Sequence, residues 1–257
     1  MPHLSRDKHA RSLRLALYAL FIVIGVATST WVTRTPALRD ALQASTEQMG
    51  LILFGFSMGS MAGILSANWL VERLQARRSV AVGMGVNLLG LLILALGAGA
   101  TSIPTVVSGF VLFGVGLGWT DIAVNVEGGA LERLQQRPLM TTLHGCFSLG
   151  AMLGALLGTL MAWLSVPVMW HLLGVAVASA ACICPLLKHV ENHSAQKNEQ
   201  FHSSETSSGF VLQAFKDHKV LLIGLFALGL ALTEGAAHDW LPLLMGMAIN
   251  LAIPKAR

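Results

Sequence analysis

The stretch from residue 79 to residue 120 reads SVAVGMGVNLLGLLILALGAGATSIPTVVSGFVLFGVGLGWT and contains no charged side chain. One membrane crossing needs about 20 mostly apolar residues, so this stretch is too long for a single helix. Gly and Pro cluster between residues 97 and 104, where they favour a turn. We therefore predict two membrane-spanning helices here, joined at residues 97–104.

Further uncharged stretches extend the same pattern along the chain. Residues 15–33 and 48–71 each predict one span, and residues 138–187 predict two spans that break at residues 165–167. Residues 220–240 predict a seventh span if Glu234 is tolerated near its end. The first span follows a basic segment, but it is longer than the apolar core of a signal peptide, so we interpret it as an uncleaved helix.

The composition indicates lipid rather than water as the solvent. Hydrophobic residues make up 54% of the chain, charged residues make up 12%, and the mean hydropathy is +0.66. Soluble domains carry roughly 25% charged residues, so this chain is poorly suited to be a soluble enzyme, and it is too apolar to be disordered. The basic charges lie in short segments between spans, so we attribute them to membrane topology and expect no nucleic-acid partner.

The distribution of Lys and Arg predicts how the helices are oriented. Only Arg34 and Arg39 lie in the first, third and fifth loops, whereas thirteen basic residues lie in the N-terminus and the even-numbered loops. Basic residues concentrate on the cytoplasmic side, so we expect a multi-pass protein of the bacterial inner membrane with a cytoplasmic N-terminus. The thirteen are Arg6, Lys8, Arg11, Arg14, Arg73, Arg77, Arg78, Arg133, Arg137, Lys188, Lys197, Lys216 and Lys219.

These patterns together predict an all-α, polytopic helical bundle. Its parts are a basic cytoplasmic N-terminus (1–14), six helices (15–187), a polar cytoplasmic linker (188–219), a seventh helix (220–245) and a short tail (246–257).

Two glycine stripes predict an internal repeat. Glycines recur every fourth residue in spans two and five, which puts each trio on one helix face where a neighbouring backbone can approach closely. Because the stripes lie three spans apart, they favour a repeat of three plus three helices with the second set inverted. Generic helix packing is the alternative interpretation. The six residues are Gly55, Gly59, Gly63, Gly150, Gly154 and Gly158.

Span four carries the ionisable group that we expect to be functional. Asp121 and Asn125 are four residues apart and share a helix face, whereas Glu127 points elsewhere. An ionisable group inside a span is costly and usually faces a cavity where it acts, so we predict that Asp121 exchanges protons. The alternative is an interfacial position, which we favour for Glu132 and Arg133.

Other polar residues in or beside the spans suggest weaker hypotheses. His144 opens span five, close to span four in sequence, where it is either a solute contact or a packing or interface residue. Arg34 can reach an anionic substrate or snorkel to the interface, and Trp31 beside it is a substrate contact or an interfacial anchor. His171 has no polar company in sequence, so we interpret it as a packing residue. We expect no metal, no cofactor and no catalytic motif, because the His residues of the linker lack zinc-site spacing and no nucleophile motif occurs.

Several stretches together resemble the major facilitator superfamily, and within it the bacterial YbjJ-type inner-membrane transporters. They are residues 31–40, 49–65, 123–128 and 234–244. The loop after span two, from Asn68 to Arg78, is similar to a degraded form of the superfamily signature, with Asn68 and Gln75 where glycines are usual. The resemblance implies that Glu72, Arg73 and Arg77 gate the cytoplasmic side; positive-inside charge is the alternative.

The resemblance also implies a function. The Asp121-x-x-x-Asn125 pattern is similar to that of proton-coupled fucose permeases, in which the acid takes the coupling proton. We therefore expect proton-coupled transport of a small polar solute, with Asp121 as proton carrier, Asn125 and His144 as its partners, and the lipid bilayer as surroundings. A second acid of those permeases, in span one, has no counterpart here.

The family has twelve helices in two halves, so we expect this chain to be a truncated product, the N-terminal half plus a seventh helix. On that expectation it does not transport alone, and either a second copy or a complementing C-terminal half would complete it. Two alternatives are an intramembrane enzyme using Asp121, His144 and Glu127 with Cys146 or Ser148, and a non-transporting membrane interaction protein.

Overall fold

The computed structural model describes residues 2–190 and 217–252. It divides the chain into two units, Met1–Ala195 and Gln196–Arg257. The first unit contains six helices and a closing 3-10 turn, Leu187–His189. These helices are α1 (Pro2–Thr33), α2 (Thr35–Leu42), α3 (Thr46–Gly99), α4 (Ile103–Gln135), α5 (Met140–Trp163) and α6 (Val168–Leu186).

The predicted all-α membrane bundle is confirmed. Six helices of the described residues are long and apolar enough to cross a membrane: α1, α3, α4, α5, α6 with its closing turn, and the helix of the second unit. Helix α1 begins at Pro2, so the basic N-terminal segment continues the first span as helix. The predicted linker has residues 191–216 outside the described part of the chain, and residues 253–257 of the predicted tail lie outside it too.

Helix α3 crosses the bundle twice. Before residue 75, Gly59 abuts Val111 and Gly63 abuts Val115, so this half runs parallel to α4. After residue 75, Gly90 abuts Phe113 and Gly97 abuts Val106, so the second half runs antiparallel to α4. The two halves therefore form a hairpin, and spans two and three are joined by a sharp bend instead of the predicted loop.

The bend lies at Gln75, whose backbone has φ 65° and ψ 163°. Side-chain-bearing residues rarely adopt this conformation, because their Cβ atom collides with the backbone. The buried Ser79 stabilises the bend, because its hydroxyl lies within hydrogen-bond distance of the Gln75 carbonyl (2.8 Å) and the Leu70 carbonyl (3.2 Å). Ser79, in the second half of α3, thus hydrogen-bonds to the Leu70 carbonyl of the first half and to the Gln75 carbonyl at the bend.

Both glycine stripes lie at contacts between parallel helices. The α3 stripe packs on Val107, Val111 and Val115 of α4. The α5 stripe packs on Ile22, Val26 and Thr30–Thr33 of α1. If spans one to three repeat as spans four to six, span one corresponds to span four and span two corresponds to span five. The pair formed by spans two and four is then equivalent to the pair formed by spans five and one. The close backbone approach that glycine permits thus occurs twice, at symmetry-related places.

The two ends of the bundle hold different groups. Arg14 donates a hydrogen bond from Nη1 to Gln135 Oε1 (3.4 Å), so the beginning of α1 meets the end of α4. Arg34, after α1, meets the turn between α5 and α6. We refer to these as the Arg14 end and the Arg34 end.

Glu132 fixes the start of α5 at the Arg14 end. Its Oε2 atom accepts hydrogen bonds from the backbone N–H groups of Leu139 (2.7 Å) and Met140 (2.8 Å). Those N–H groups lack partners within their own helix, so a carboxylate there acts as an N-terminal cap. Glu132 is therefore a structural residue and more than a solvated interfacial charge.

The second unit contains helix α7 (His218–Ala252), which includes the predicted seventh span. Asp217 caps its start, because its Oδ1 atom accepts a hydrogen bond from the Lys219 N–H (2.9 Å). Pro242 lies inside the helix. Glu234 is exposed, and the side chain of His238 lies outside the described residues.

Candidate functional site

Asp121 and Asn125 form a hydrogen-bonded pair on one face of α4. The Asn125 amide donates from Nδ2 to Asp121 Oδ1 (3.0 Å) and to the Asp121 backbone carbonyl (2.9 Å). The spacing of four residues produces this contact, since side chains four apart lie one above the other on a helix. The pair fixes the carboxylate of Asp121, which is exposed.

Asn125 keeps an unused hydrogen-bonding atom. Its Oδ1 is buried and has no partner among the described residues. An amide oxygen can only accept a hydrogen bond, and a buried acceptor without a partner is unfavourable. The site therefore offers two kinds of acceptor, a carboxylate and an amide oxygen, to a bound group that donates.

His144 of α5 approaches the same pair. It interacts electrostatically with Asp121, and its ring lies 5.8 Å from that of Phe21. The Nδ1 atom lies 3.0 Å from the Met140 carbonyl. A carbonyl can only accept, so Nδ1 is the donor of this hydrogen bond.

The exposed face of α5 continues this polar region. Thr141, His144 and Ser148 recur at helical spacing and are all exposed. Together with Asp121 and Asn125 they form what we term the α4–α5 polar site. An ionisable group among polar neighbours is typical of a cavity lining rather than a lipid-facing surface.

Trp31 lies apart from this site. It is buried, and its ring contacts Phe56, Phe110 and Phe113 with centroid distances of 5.2, 4.9 and 6.4 Å. Phe110 and Phe113 are in the first third of α4, and Phe113 lies about 12 Å along the helix axis from Asp121 at 1.5 Å per residue. Trp31 is thus a central packing residue near the Arg34 end.

Arg34 also lies away from the α4–α5 polar site. It is 3% exposed and donates from Nη2 to the Val166 carbonyl in the turn before α6. Burial lowers the pKa of its guanidinium below its ordinary value, and its Nε and Nη1 atoms have no partner among the described residues. A desolvated cation of this kind is costly unless an anion accompanies it.

His171 is the neighbour of Arg34 that sequence reasoning missed. It lies in the first turn of α6, is 5% exposed, and interacts electrostatically with Arg34. Neither ring nitrogen has a partner among the described residues. The two residues are far apart in sequence. The one indication in the sequence is that His171 closely follows Pro167, in the turn region at the same end of the bundle as Arg34.

Glu127 is 0% exposed, so it is a core residue of the bundle rather than a wet interfacial one. It lies on a different face of α4 from Asp121. The two acids therefore do not act as a pair.

The predicted gating residues lie around the Gln75 bend. Glu72, Arg73 and Arg77 are exposed, and the Arg73 guanidinium lies 5.4 Å above the Trp69 ring. Their exposure beside a bend at the Arg14 end agrees with both a gating role and positive-inside charge.

The nucleophiles that an enzyme would need lie on α5. Cys146 is partly buried and Ser148 is exposed, and the hydrogen bond that His144 makes is to Met140. Among the described residues, no group of three His, Cys, Asp or Glu side chains is arranged to hold a metal ion.

Comparison with known proteins identifies the class. Residues 14–254 match the family model of the Major Facilitator Superfamily. The chain is 30% identical over 223 residues to the uncharacterized transporter y4wD of Sinorhizobium fredii, which covers 86% of this chain and 55% of that protein. It is 26% identical over 234 residues to an uncharacterized MFS-type transporter of Yersinia pestis, covering 89% and 55% respectively.

The chain belongs to the major facilitator superfamily and is a multi-pass membrane protein. The membrane protein MosC of Rhizobium meliloti also matches, with 27% identity over 134 residues, which is 52% of this chain and 32% of MosC. The chain spans about half the length of the first two relatives. No solved structure matches it.

Proposed function

We propose that this chain forms one half of a proton-coupled secondary transporter for a small polar solute, with the α4–α5 polar site as its solute and proton site. Two of the relatives are named as transporters, which supports the general activity. The observation that carries the proposal is the Asn125–Asp121 hydrogen bond with His144 alongside. This arrangement joins a carboxylate, an amide and an imidazole on the faces of two membrane helices.

The chemistry of the site favours a solute that donates hydrogen bonds. The Asn125 Oδ1 atom is an unused acceptor, and an ionised Asp121 accepts as well. Protonation of Asp121 removes its negative charge and turns one of its oxygens into a donor, which changes the affinity for such a solute. Solute and proton binding are thereby linked at one carboxyl group.

Orientation belongs to the same proposal. We infer that the Arg14 end faces the cytoplasm, because the basic residues of the N-terminus, the Gln75 bend and the α4–α5 turn all lie there. In that orientation Glu72, Arg73 and Arg77 gate the cytoplasmic side, the Arg34 end faces the opposite side, and the bacterial inner membrane is the host bilayer.

A second half is part of the proposal. Transporters of this superfamily bind substrate between two halves, and the six spans formed by α1 and α3–α6, of which α3 supplies two, account for one of them. We propose that a second half of the transporter supplies the other wall of the site. The chain alone then binds solute and protons without completing a transport cycle.

Proton release or uptake on solute binding tests the site directly. The purified chain in weakly buffered detergent is titrated with a panel of sugars, polyols and amines, and a pH-indicator dye follows the protons. We expect at least one solute to give a proton signal in the wild type that Asp121→Asn abolishes. Asp40→Asn is the control, because Asp40 is exposed and paired with Arg39 (3.1 Å).

Two results would overturn parts of the proposal. A proton signal that persists in Asp121→Asn would remove Asp121 as the proton carrier, and no signal from any solute would remove the site. Net uptake by proteoliposomes of this chain alone, measured beside the full-length Sinorhizobium relative, would show that a second half is unnecessary.

A further inference from the structure

Two sources of positive potential and a buried imidazole lie at the Arg34 end. The first source is the buried guanidinium of Arg34, which is held against the Val166 carbonyl. The second is the N-terminus of α6, whose N-cap Pro167 makes no side-chain cap hydrogen bond. The imidazole belongs to His171, which lies four residues after Pro167 and is buried. The first backbone N–H groups of a helix carry partial positive charge and need acceptors.

In the described part of the chain, no acidic side chain forms an ion pair with this positive charge. Arg34 Nε and Nη1 and both ring nitrogens of His171 are buried without a partner. Asp40 and Glu47, the acids that lie closest to Arg34 in sequence, are exposed, and Asp40 pairs with Arg39. The same corner of the bundle thus contains the buried guanidinium of Arg34, the buried imidazole of His171 and the uncapped start of α6. Their hydrogen-bond donors lack acceptors.

We propose that this corner binds a compact anion from solution, either chloride or a short carboxylate, between Arg34, His171 and the N-terminus of α6. Arg34 Nε and Nη1, the N–H of His171 and the first N–H groups of α6 donate to it. The anion supplies the charge that the buried guanidinium lacks, and its bonds to backbone N–H groups are those that helix N-termini make to anions generally.

The proposed anion site is separate from the α4–α5 polar site and does not depend on transport. Asp121 is about 27 Å along α4 from Ile103, whereas the anion site lies at the turn that leads into α6. The bound anion links Arg34, which follows α1, to the start of α6. Its binding therefore stabilises the Arg34 end, and this effect can be measured without any solute.

The test is thermal unfolding of the purified full chain in detergent without anionic lipid. Sodium chloride and sodium acetate are each titrated against a bulky sulfonate salt, sodium MOPS, at constant ionic strength. We expect the unfolding temperature of the wild type to rise with chloride or acetate and to saturate, because a ligand that binds only the folded state stabilises it. Arg34→Met is expected to lose this response, and Arg39→Met, the matched arginine paired with Asp40, is expected to keep it.

His171→Phe tests the second donor. We expect the anion concentration for half of the stabilisation to increase by about tenfold, the loss expected for one hydrogen bond to a charged group. If Arg34→Met does not fold, Arg34→Lys replaces it; it is expected to keep a weakened response that remains specific for the compact anions.

A purely structural role predicts a different pattern. If Arg34 only ties the corner to Val166, Arg34→Met lowers the unfolding temperature equally in MOPS, chloride and acetate, and this overturns the proposal. A wild type that responds equally to all three salts overturns it as well. Stabilisation by phosphatidylglycerol but by neither compact anion assigns the charge to a lipid headgroup and also refutes a solution anion.

Discussion

The backbone conformation of one residue, Gln75, sets the geometry of the hairpin formed by the two halves of α3. Its φ of 65° and ψ of 163° lie in a region essentially restricted to glycine, so the glutamine is strained by about 1–3 kcal/mol. The superfamily signature that this loop resembles has glycine where Gln75 stands, and a backbone of this conformation favours glycine. The hairpin nevertheless forms, because Ser79 and the packing of both halves of α3 on α4 hold it.

Gln75→Gly is therefore expected to stabilise the protein by about 1 kcal/mol, the relief of strain less the greater freedom that glycine gives the unfolded chain. The measurement is the unfolding temperature in detergent. Gln75→Ala is the control, because it shortens the side chain but keeps the Cβ atom that causes the strain. A glycine variant no more stable than the alanine variant would contradict the interpretation.

Asp121 and Arg34 differ in how far the sequence could predict their roles. Asp121 was recognisable because Asn125 is four residues away and helical geometry alone brings them together. The electrostatic interaction between Arg34 and His171 joins residues 137 positions apart, and no local pattern encodes it. The sequence placed Arg34 at the non-cytoplasmic edge and left Arg34 and Trp31 either as substrate contacts or as interfacial residues; in the structure both are buried nearer the Arg34 end than Asp121 is.

At the scale of helices, the glycine stripes decide which helices pair. A methyl carbon on Gly154 would lie 2.6 Å from the Val26 carbonyl oxygen, and one on Gly59 would overlap the Val111 carbonyl. These obstacles are backbone atoms, which cannot rotate away as the end of a side chain can. The spacing of four predicted the stripes, but it could not identify the helix that each one meets.

Gly59→Ala and Gly154→Ala are expected to destabilise the bundle by about 1–3 kcal/mol each through overpacking. Gly85→Ala in α3 and Gly145→Ala in α5 are the matched controls, because nothing lies within 4 Å of the added carbon there. Alanine favours a helix over glycine by roughly 0.5–1 kcal/mol, so the controls are expected to gain stability. Opposite signs within each helix, measured by detergent unfolding, support close packing; equal effects contradict it.

On the scale of the whole molecule, the two proposed sites lie toward opposite ends of the bundle. The α4–α5 polar site lies well along α4 toward the Arg14 end, and the proposed anion site lies at the Arg34 end. The first is expected to bind the solute and its proton, and the second to stabilise one end of the bundle.

The proposed orientation can be tested with two matched positions. Gln43 and Gln136 are both exposed, both follow a helix and both have a left-handed backbone with φ near 51°. They lie at opposite ends, Gln43 at the Arg34 end and Gln136 at the Arg14 end. In a variant with Cys146, Cys182 and Cys184 changed to serine, a membrane-impermeant maleimide applied to intact spheroplasts is expected to label Gln43→Cys and not Gln136→Cys.

Labelling after the membrane is made permeable is the control, because both cysteines are then expected to react. The reverse pattern in intact spheroplasts would place the N-terminus outside the cytoplasm. Labelling of both positions before permeabilisation would mean that the chain does not adopt one orientation.

The sequence by itself determined that this protein is an all-α membrane bundle, because uncharged runs of membrane-spanning length have few other stable conformations in lipid. It also determined the turn at residues 97–104 and the Asp121–Asn125 pair, since these depend on neighbours in the chain. The tertiary structure alone decided that spans two and three close at Gln75, that Glu127 is buried, and that Arg34 bonds to the turn before α6. These outcomes depend on which helix faces pack together, and that choice is made by contacts between residues distant in sequence.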